Sequence, residues 1–174
     1  SRTIGLVVLD IANPFFTDIA HGAEIELAEH GRSLLLGNSS QREDRESIYL
    51  DLFEEQRVAG ILISPVGNVL PRLRRLKERG TAVVLVDRKT DSPEFSSVSL
   101  DDRQGGRLVA AHLIEQGATH IAVIGGPTHL RQVKHRLQGA RQRVQQSGNV
   151  RLEYIETPAT VSYTHLTLPT TPYV

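Results

Sequence analysis

Short aliphatic runs alternate with longer amphipathic stretches along most of the chain. The runs are TIGLVVL (3–9), SLLLGN (33–38), GILIS (60–64), AVVLVD (82–87), SVSL (97–100) and HIAVIGG (120–126). Several are apolar at consecutive positions, so both faces of the strands they form must be covered, which predicts a parallel sheet between helix layers. Between them, Phe16, Ile19, Ala20, Ala23, Leu27 and Ala28 recur at steps of three and four, the stripe of a helix lying on a sheet. Asn13 suits the cap of this helix, Pro14 its first turn and Gly31 its stop. Further helices are predicted at about 43–56, 69–79, 103–116 and 130–147. Strand followed by helix, repeated, predicts an α/β fold of βαβ units with right-handed crossovers.

The rhythm breaks at RKTDSPEFSS (88–97), which is polar and contains Pro. A domain boundary is expected near 98–103, dividing the chain into a lobe at 1–99, a second α/β unit at 100–156 and a remainder at 157–174. That remainder, TPATVSYTHLTLPTTPYV, has no charged residue, no Gly and no helical period. Its prolines at 158, 169 and 172 exclude a helix or a central strand through most of it. It is read as an irregular, non-native tail.

Charge and composition narrow the function classes. The formal net charge is zero, so no global basic field draws the chain to nucleic acid. No apolar run approaches the roughly 18 residues of a membrane span, and the start is too polar for a secretory signal. Cys is absent, which excludes disulfides, thiolate metal sites and a Cys nucleophile. A cytoplasmic location is expected, and no cofactor or metal is assigned. There is no GxSxG elbow, HExxH, GxGxxG or P-loop. RLRRLKER (72–79) interleaves Leu73 and Leu76 with charge and reads as a solvated helix face.

Candidate chemistry collects where parallel strands end. In open α/β sheets, the carboxyl ends of the strands and the helix starts after them line the ligand crevice. Asn13, Phe15 and Phe16 follow the first strand, Ser64 ends the third, and Asp87 and Arg88 end the fourth. Arg136 lies early in the helix after the GGP turn. An aromatic face beside Asp, Arg and Asn suits a sugar: C–H surface on the ring, hydroxyls on the charged groups. Taken singly, Phe15 is better explained by packing than by ligand contact, and Asp87–Arg88 is equally well explained by a surface turn.

The stretch TIGLVVLDIANPFFTDIAHGAEIELAEHGRSLLLGNS resembles the opening of the effector-binding core of lactose-repressor-like (LacI/GalR) transcriptional regulators. RVAGILISPV, GTAVVLVDR, VSLDDRQGGRLVAAHLIEQGATHIAVIGGP and RLQGAR follow in that family's order, so the resemblance covers residues 2 to about 156. It implies a periplasmic-binding-protein-like fold of two Rossmann-like βα sandwich lobes with parallel sheets, the second lobe incomplete. It also implies a small-molecule effector, a sugar or nucleoside-like compound, in the cleft between lobes. Carried over position by position, the ligand-binding residues are Asn13, Phe15, Phe16, Ser64, Asp87, Arg88 and Arg136. The family further implies a homodimer, and operator DNA bound only through an N-terminal helix-turn-helix that this chain lacks.

Three functions are thus in view. The first is the effector-binding core of a LacI-type regulator. The second is a periplasmic sugar-binding protein, which shares the same cleft. The third is an enzyme on a doubly wound fold, which the missing phosphate fingerprint, metal ligands and nucleophile–base pair disfavour.

Overall fold

A computed structural model describes residues 2–90 and 92–158; most of the stretch read as a non-native tail, 159–174, lies outside the described residues. The chain divides after Leu100 into two compact units.

The first unit runs β1 (Thr3–Val8), α1 (Pro14–Glu29), β2 (Ser33–Asn38), α2 (Glu43–Glu55), β3 (Gly60–Ile63), α3 (Leu70–Glu78), β4 (Ala82–Val86) and β5 (Ser96–Val98). Its five strands are all parallel, in the order β2-β1-β3-β4-β5. The pleat sorts the aliphatic runs to two sides. Leu6 and Val8 of β1 meet Phe16 of α1, with Ile19, Ala20, Leu34 and Leu62 around them. Val7, Ile61, Ile63, Val83 and Leu85 face the other way, into a larger core with Leu50 and Phe53 of α2 and Leu73 and Leu76 of α3. Helices on both faces are why the central strands carry no polar alternation.

Two strand glycines let α2 come close. Rings of α2 lie over them: a Cβ on Gly5 would collide with Phe53, and one on Gly37 would sit 2.6 Å from Tyr49. Helix α1 begins as its sequence suggests. The Asn13 side chain accepts the Phe15 N–H at 3.0 Å, Pro14 occupies the first turn, and Gly31 follows the end at φ +63.

The second unit holds α4 (Asp102–Glu115), β6 (His120–Gly125), α5 (Arg131–Ser147) and β7 (Arg151–Glu156). The two strands pair in parallel, with α5 as the crossover. β7 is a strand that the aliphatic-run pattern does not mark: RLEYIE is half charged, and only Leu152 and Tyr154 alternate inward. Ala110, Ile121, Ala140 and Val144 form the core, flanked by Val123 and Leu152. On the opposite face of this sheet, Ile124 and Ile155 are register partners and remain exposed.

Helices α4 and α5 cross at very short range. A Cβ on Gly106 would collide with the carbonyl oxygen of Arg136, and one on Gly139 with that of Arg103. Ala110 and Ala140 continue the contact.

Candidate functional site

The strand order sets where a ligand can approach the first unit. From β1 the chain moves outward to β2, then returns to β3 on the other side of β1. The connections after β1 and β3 therefore leave in opposite senses, and a crevice opens beyond their carboxyl ends. Asn13, Phe15 and Phe16 follow β1, Ser64 follows β3, and Asp87 and Arg88 follow β4. All six lie on this one edge.

Their environments differ. The Phe16 ring is 5% exposed and belongs to the core. The Phe15 ring is half-buried and packs edge-on against it, centroids 5.1 Å apart and planes at 71°. Adjacent residues share a core here because the helix has only just begun: Phe16 enters the core, and Phe15 covers its rim. Phe15 is thus the member of the pair whose ring reaches solvent. Ser64 is 2% exposed and its N–H donates to the Val7 carbonyl at 2.9 Å, tying β3 to β1.

Asp87 has left-handed backbone, φ +55, while its N–H donates to the Val98 carbonyl at 2.8 Å. For a residue with a Cβ this conformation is strained, and such strain concentrates at ligand-binding positions. Arg88 is half-buried, and its Nη1 donates to the Gly67 carbonyl at 3.3 Å.

The β2–α2 connection joins this edge as well, which sequence reasoning did not single out. Ser40 and Gln41 both have positive φ, +50 and +59. The Asn38 side chain accepts the N–H groups of Ile11 (3.3 Å) and Ser40 (3.2 Å), and Gln41 N–H donates to the Leu9 carbonyl at 3.0 Å. Buried Ser39 donates its hydroxyl to the Val8 carbonyl at 3.1 Å. These bonds brace the turn that carries Asn13 and the Phe pair. The available sequence signal was the cluster NSSQ, Asn at the end of a strand and Ser directly after it, which favours such a turn.

Arg136 lies in the second unit, on the first turns of α5. Its Nε donates to Asp102 Oδ1 at 2.6 Å; Asp102 is nearly buried, and the arginine side chain is 59% exposed. The bond orients the guanidinium and leaves part of it for another partner. His135, its neighbour, has its pKa lowered by burial, with Arg131 and Arg103 adding to the effect, so the neutral ring is favoured there.

The basic stretch on α3 behaves as its pattern predicts. Leu73 and Leu76 are buried, while Arg72 pairs with Asp51 and with Glu54 at 3.8 Å, and Arg74 pairs with Glu94. A surface groove of about 340 Å³ runs along these ion pairs, lined by Asp51, Glu54, Arg72, Arg75, Leu76 and Arg79, away from the carboxyl edge. Both of its carboxylates are already engaged, with Arg72 and Arg79. Among the described residues no cluster of His, Asp or Glu could hold a metal ion, and no helix is long and apolar enough to cross a membrane.

Comparison with known proteins agrees with this architecture. The chain is 36% identical over 157 residues to the ribose operon repressor of Bacillus subtilis (strain 168), covering 90% of this chain and 46% of that one. It superimposes on the Cra transcriptional dual regulator from Pseudomonas putida, solved in complex with fructose 1-phosphate, with a TM-score of 0.80 at 28% identity, covering 91% of this chain and 58% of that one. A periplasmic binding protein/LacI transcriptional regulator from Alkaliphilus metalliredigens QYMF, complexed with D-xylulofuranose, matches with a TM-score of 0.77 at 28% identity, covering 92% of this chain and 58% of that one. The chain thus spans about half the length of these relatives. The profile describing periplasmic binding proteins and the sugar binding domain of the LacI family matches residues 1–160, and the chain belongs to that family.

Proposed function

We propose that this chain is the effector-binding part of a LacI-type transcriptional regulator and that its effector is a sugar or sugar-like molecule. The observation that carries the proposal is the grouping of Asn13, Phe15, Asp87 and Arg88 at one sheet edge, with Asp87 held in strained backbone. Phe15 offers its ring to the C–H surface of the ligand, and Phe16 fixes that ring from the core side. Asp87 accepts from vicinal hydroxyls, and Arg88 donates to hydroxyl or anionic oxygens. Asn13 and buried Ser64 hold the turns in place. Arg136, on the second unit, is a further candidate effector residue, carried over from the family resemblance.

In the whole protein, acting as a homodimer, effector occupancy shifts the population of DNA-binding-competent conformations. Operator contact is made by a separate DNA-binding segment. No step of this function needs a cofactor or a catalytic group.

Calorimetric titration of the full chain with D-ribose, D-xylulose and fructose 1-phosphate tests the reading. At least one probe binds, and Arg88→Ala weakens it about 10- to 150-fold, the worth of a charge-assisted hydrogen bond of roughly 1.5–3 kcal/mol. Unchanged affinity in Arg88→Ala and Arg136→Ala would show that the residues were assigned wrongly.

A further inference from the structure

Glu46 is the one ionisable side chain in the buried class among the described residues, 3% exposed on the first turn of α2. Its Oε2 accepts the Val66 N–H at 2.8 Å. Val66 lies in the β3–α3 turn, two residues after Ser64. The next carbonyl along, that of Gly67, accepts from Arg88 Nη1. Two consecutive residues of one turn are thus held, one by a buried carboxylate and one by the arginine proposed to meet the effector. Glu43 closes the same turn, since a Cβ on Gly67 would run into its carboxylate.

We propose that Glu46 is a positioning residue for the effector site, clamping the 64–67 turn and, through it and its own negative charge, setting the Arg88 guanidinium. This rests on the effector-binding reading above. Glutamine in its place could accept the same Val66 N–H. Only a carboxylate also supplies a negative charge, and Arg88 is one of the two cations that act on it.

The environment matches a charge held at a cost. Burial pushes the Glu46 carboxyl above the ordinary glutamate range and the nearby Glu43 adds to this, while the Val66 hydrogen bond and the charges of Arg88 and Arg72 pull it back. Arg72 is already engaged with Asp51 and Glu54. Arg88 is therefore the cation most affected when Glu46 takes up a proton.

The test uses the ¹⁵N-labelled full chain as wild type, Glu46→Gln and Glu46→Asp. Amide shifts of Val66 and Gly67 and the Arg88 Nε resonance are followed against pH, and D-ribose and fructose 1-phosphate are titrated calorimetrically between pH 5 and 8. In the wild type, all three resonances move together with a midpoint above the ordinary glutamate range. Glu46→Gln stays folded, loses that transition, and binds the probe about fivefold more weakly at pH 7.5, the worth of one partly screened charge pair. Its affinity also loses the fall toward acid pH that the wild type shows. Glu46→Asp keeps the charge but falls a methylene short, so the Val66 amide shift moves toward that of a weaker hydrogen bond.

Wild-type affinity and pH profile in Glu46→Gln would overturn the proposal, as would an Arg88 resonance indifferent to the transition. A wild type that binds neither probe counts against the effector reading instead. The Arg88 resonance then still decides whether the clamp exists.

Discussion

Replacing Gly106 by Ala is expected to loosen the second unit, while the same change one residue earlier tightens it. The two glycines are neighbours in the interior of α4. A Cβ on Gly105 meets nothing within 4 Å, whereas one on Gly106 overlaps the Arg136 carbonyl oxygen and sits 2.8 Å from the carbonyl carbon. Ordinary contact begins near 3.4 Å and the oxygen lies at 1.9 Å, so α4 and α5 must part by roughly 1 Å or more. The obstacle is helix backbone and cannot rotate aside. Overpacking of this kind costs about 1–3 kcal/mol. It is set against the roughly 1 kcal/mol that Ala gains over Gly inside a helix, which Gly105→Ala keeps in full. The two variants should therefore differ by about 1–3 kcal/mol, or roughly 5- to 150-fold in the opening equilibrium of the second unit. Native-state hydrogen exchange, read on peptides from β6 and α5, reports that unit separately from the first. Equal protection in the two variants, or greater protection in Gly106→Ala, would refute the close-crossing argument.

Other perturbations separate stability from binding. Asn13→Ala removes the cap on α1 and should cost about 1 kcal/mol in urea denaturation, with Asn13→Ser restoring most of it. Asp87→Gly relaxes the φ of +55 and should hold or raise stability by up to about 1 kcal/mol, while weakening the sugar probe about tenfold by calorimetry. Glu46 gives a signed pH effect. Its pKa is raised in the folded state, so the folded chain holds the proton more tightly than the unfolded one. The resulting stabilisation is present at acid pH and is lost as pH rises from the ordinary glutamate range through the elevated folded value. Glu46→Gln should accordingly be at least as stable as the wild type at pH 7 and lose that advantage on acidification, as thermal melts at several pH values will show. A glutamate kept only for stability would give the opposite order at pH 7.

Much of the fold could be read from the sequence because its strands are unusually plain. GLVV, GILI and AVVLV have no polar alternation, and only a sheet covered on both faces accommodates such runs. β7 escaped because RLEYIE hides two inward residues, Leu152 and Tyr154, among four outward ones. The edge positions Asn13, Phe15, Ser64, Asp87 and Arg88 follow from strand ends, which local pattern supplies, and from the parallel βαβ order that puts those ends on one edge. Glu46 did not follow, because its importance depends on α2 meeting a turn twenty residues further on, and nothing local marks that contact. The glycine pair at 105 and 106 makes the same point. The two are chemically identical neighbours, and only the position of α5 decides which one can bear a side chain.

The most direct test of effector binding at the carboxyl edge is a ¹H–¹⁵N chemical-shift map of the full chain titrated with D-ribose, D-xylulose and fructose 1-phosphate. The predicted result is saturable change concentrated at residues 9–16, 64–67 and 87–88, with a further response around Arg136. Change confined to the opposite edge, around Arg57–Ala59 and Gly80–Thr81, or no change with any of the three probes, would contradict the account.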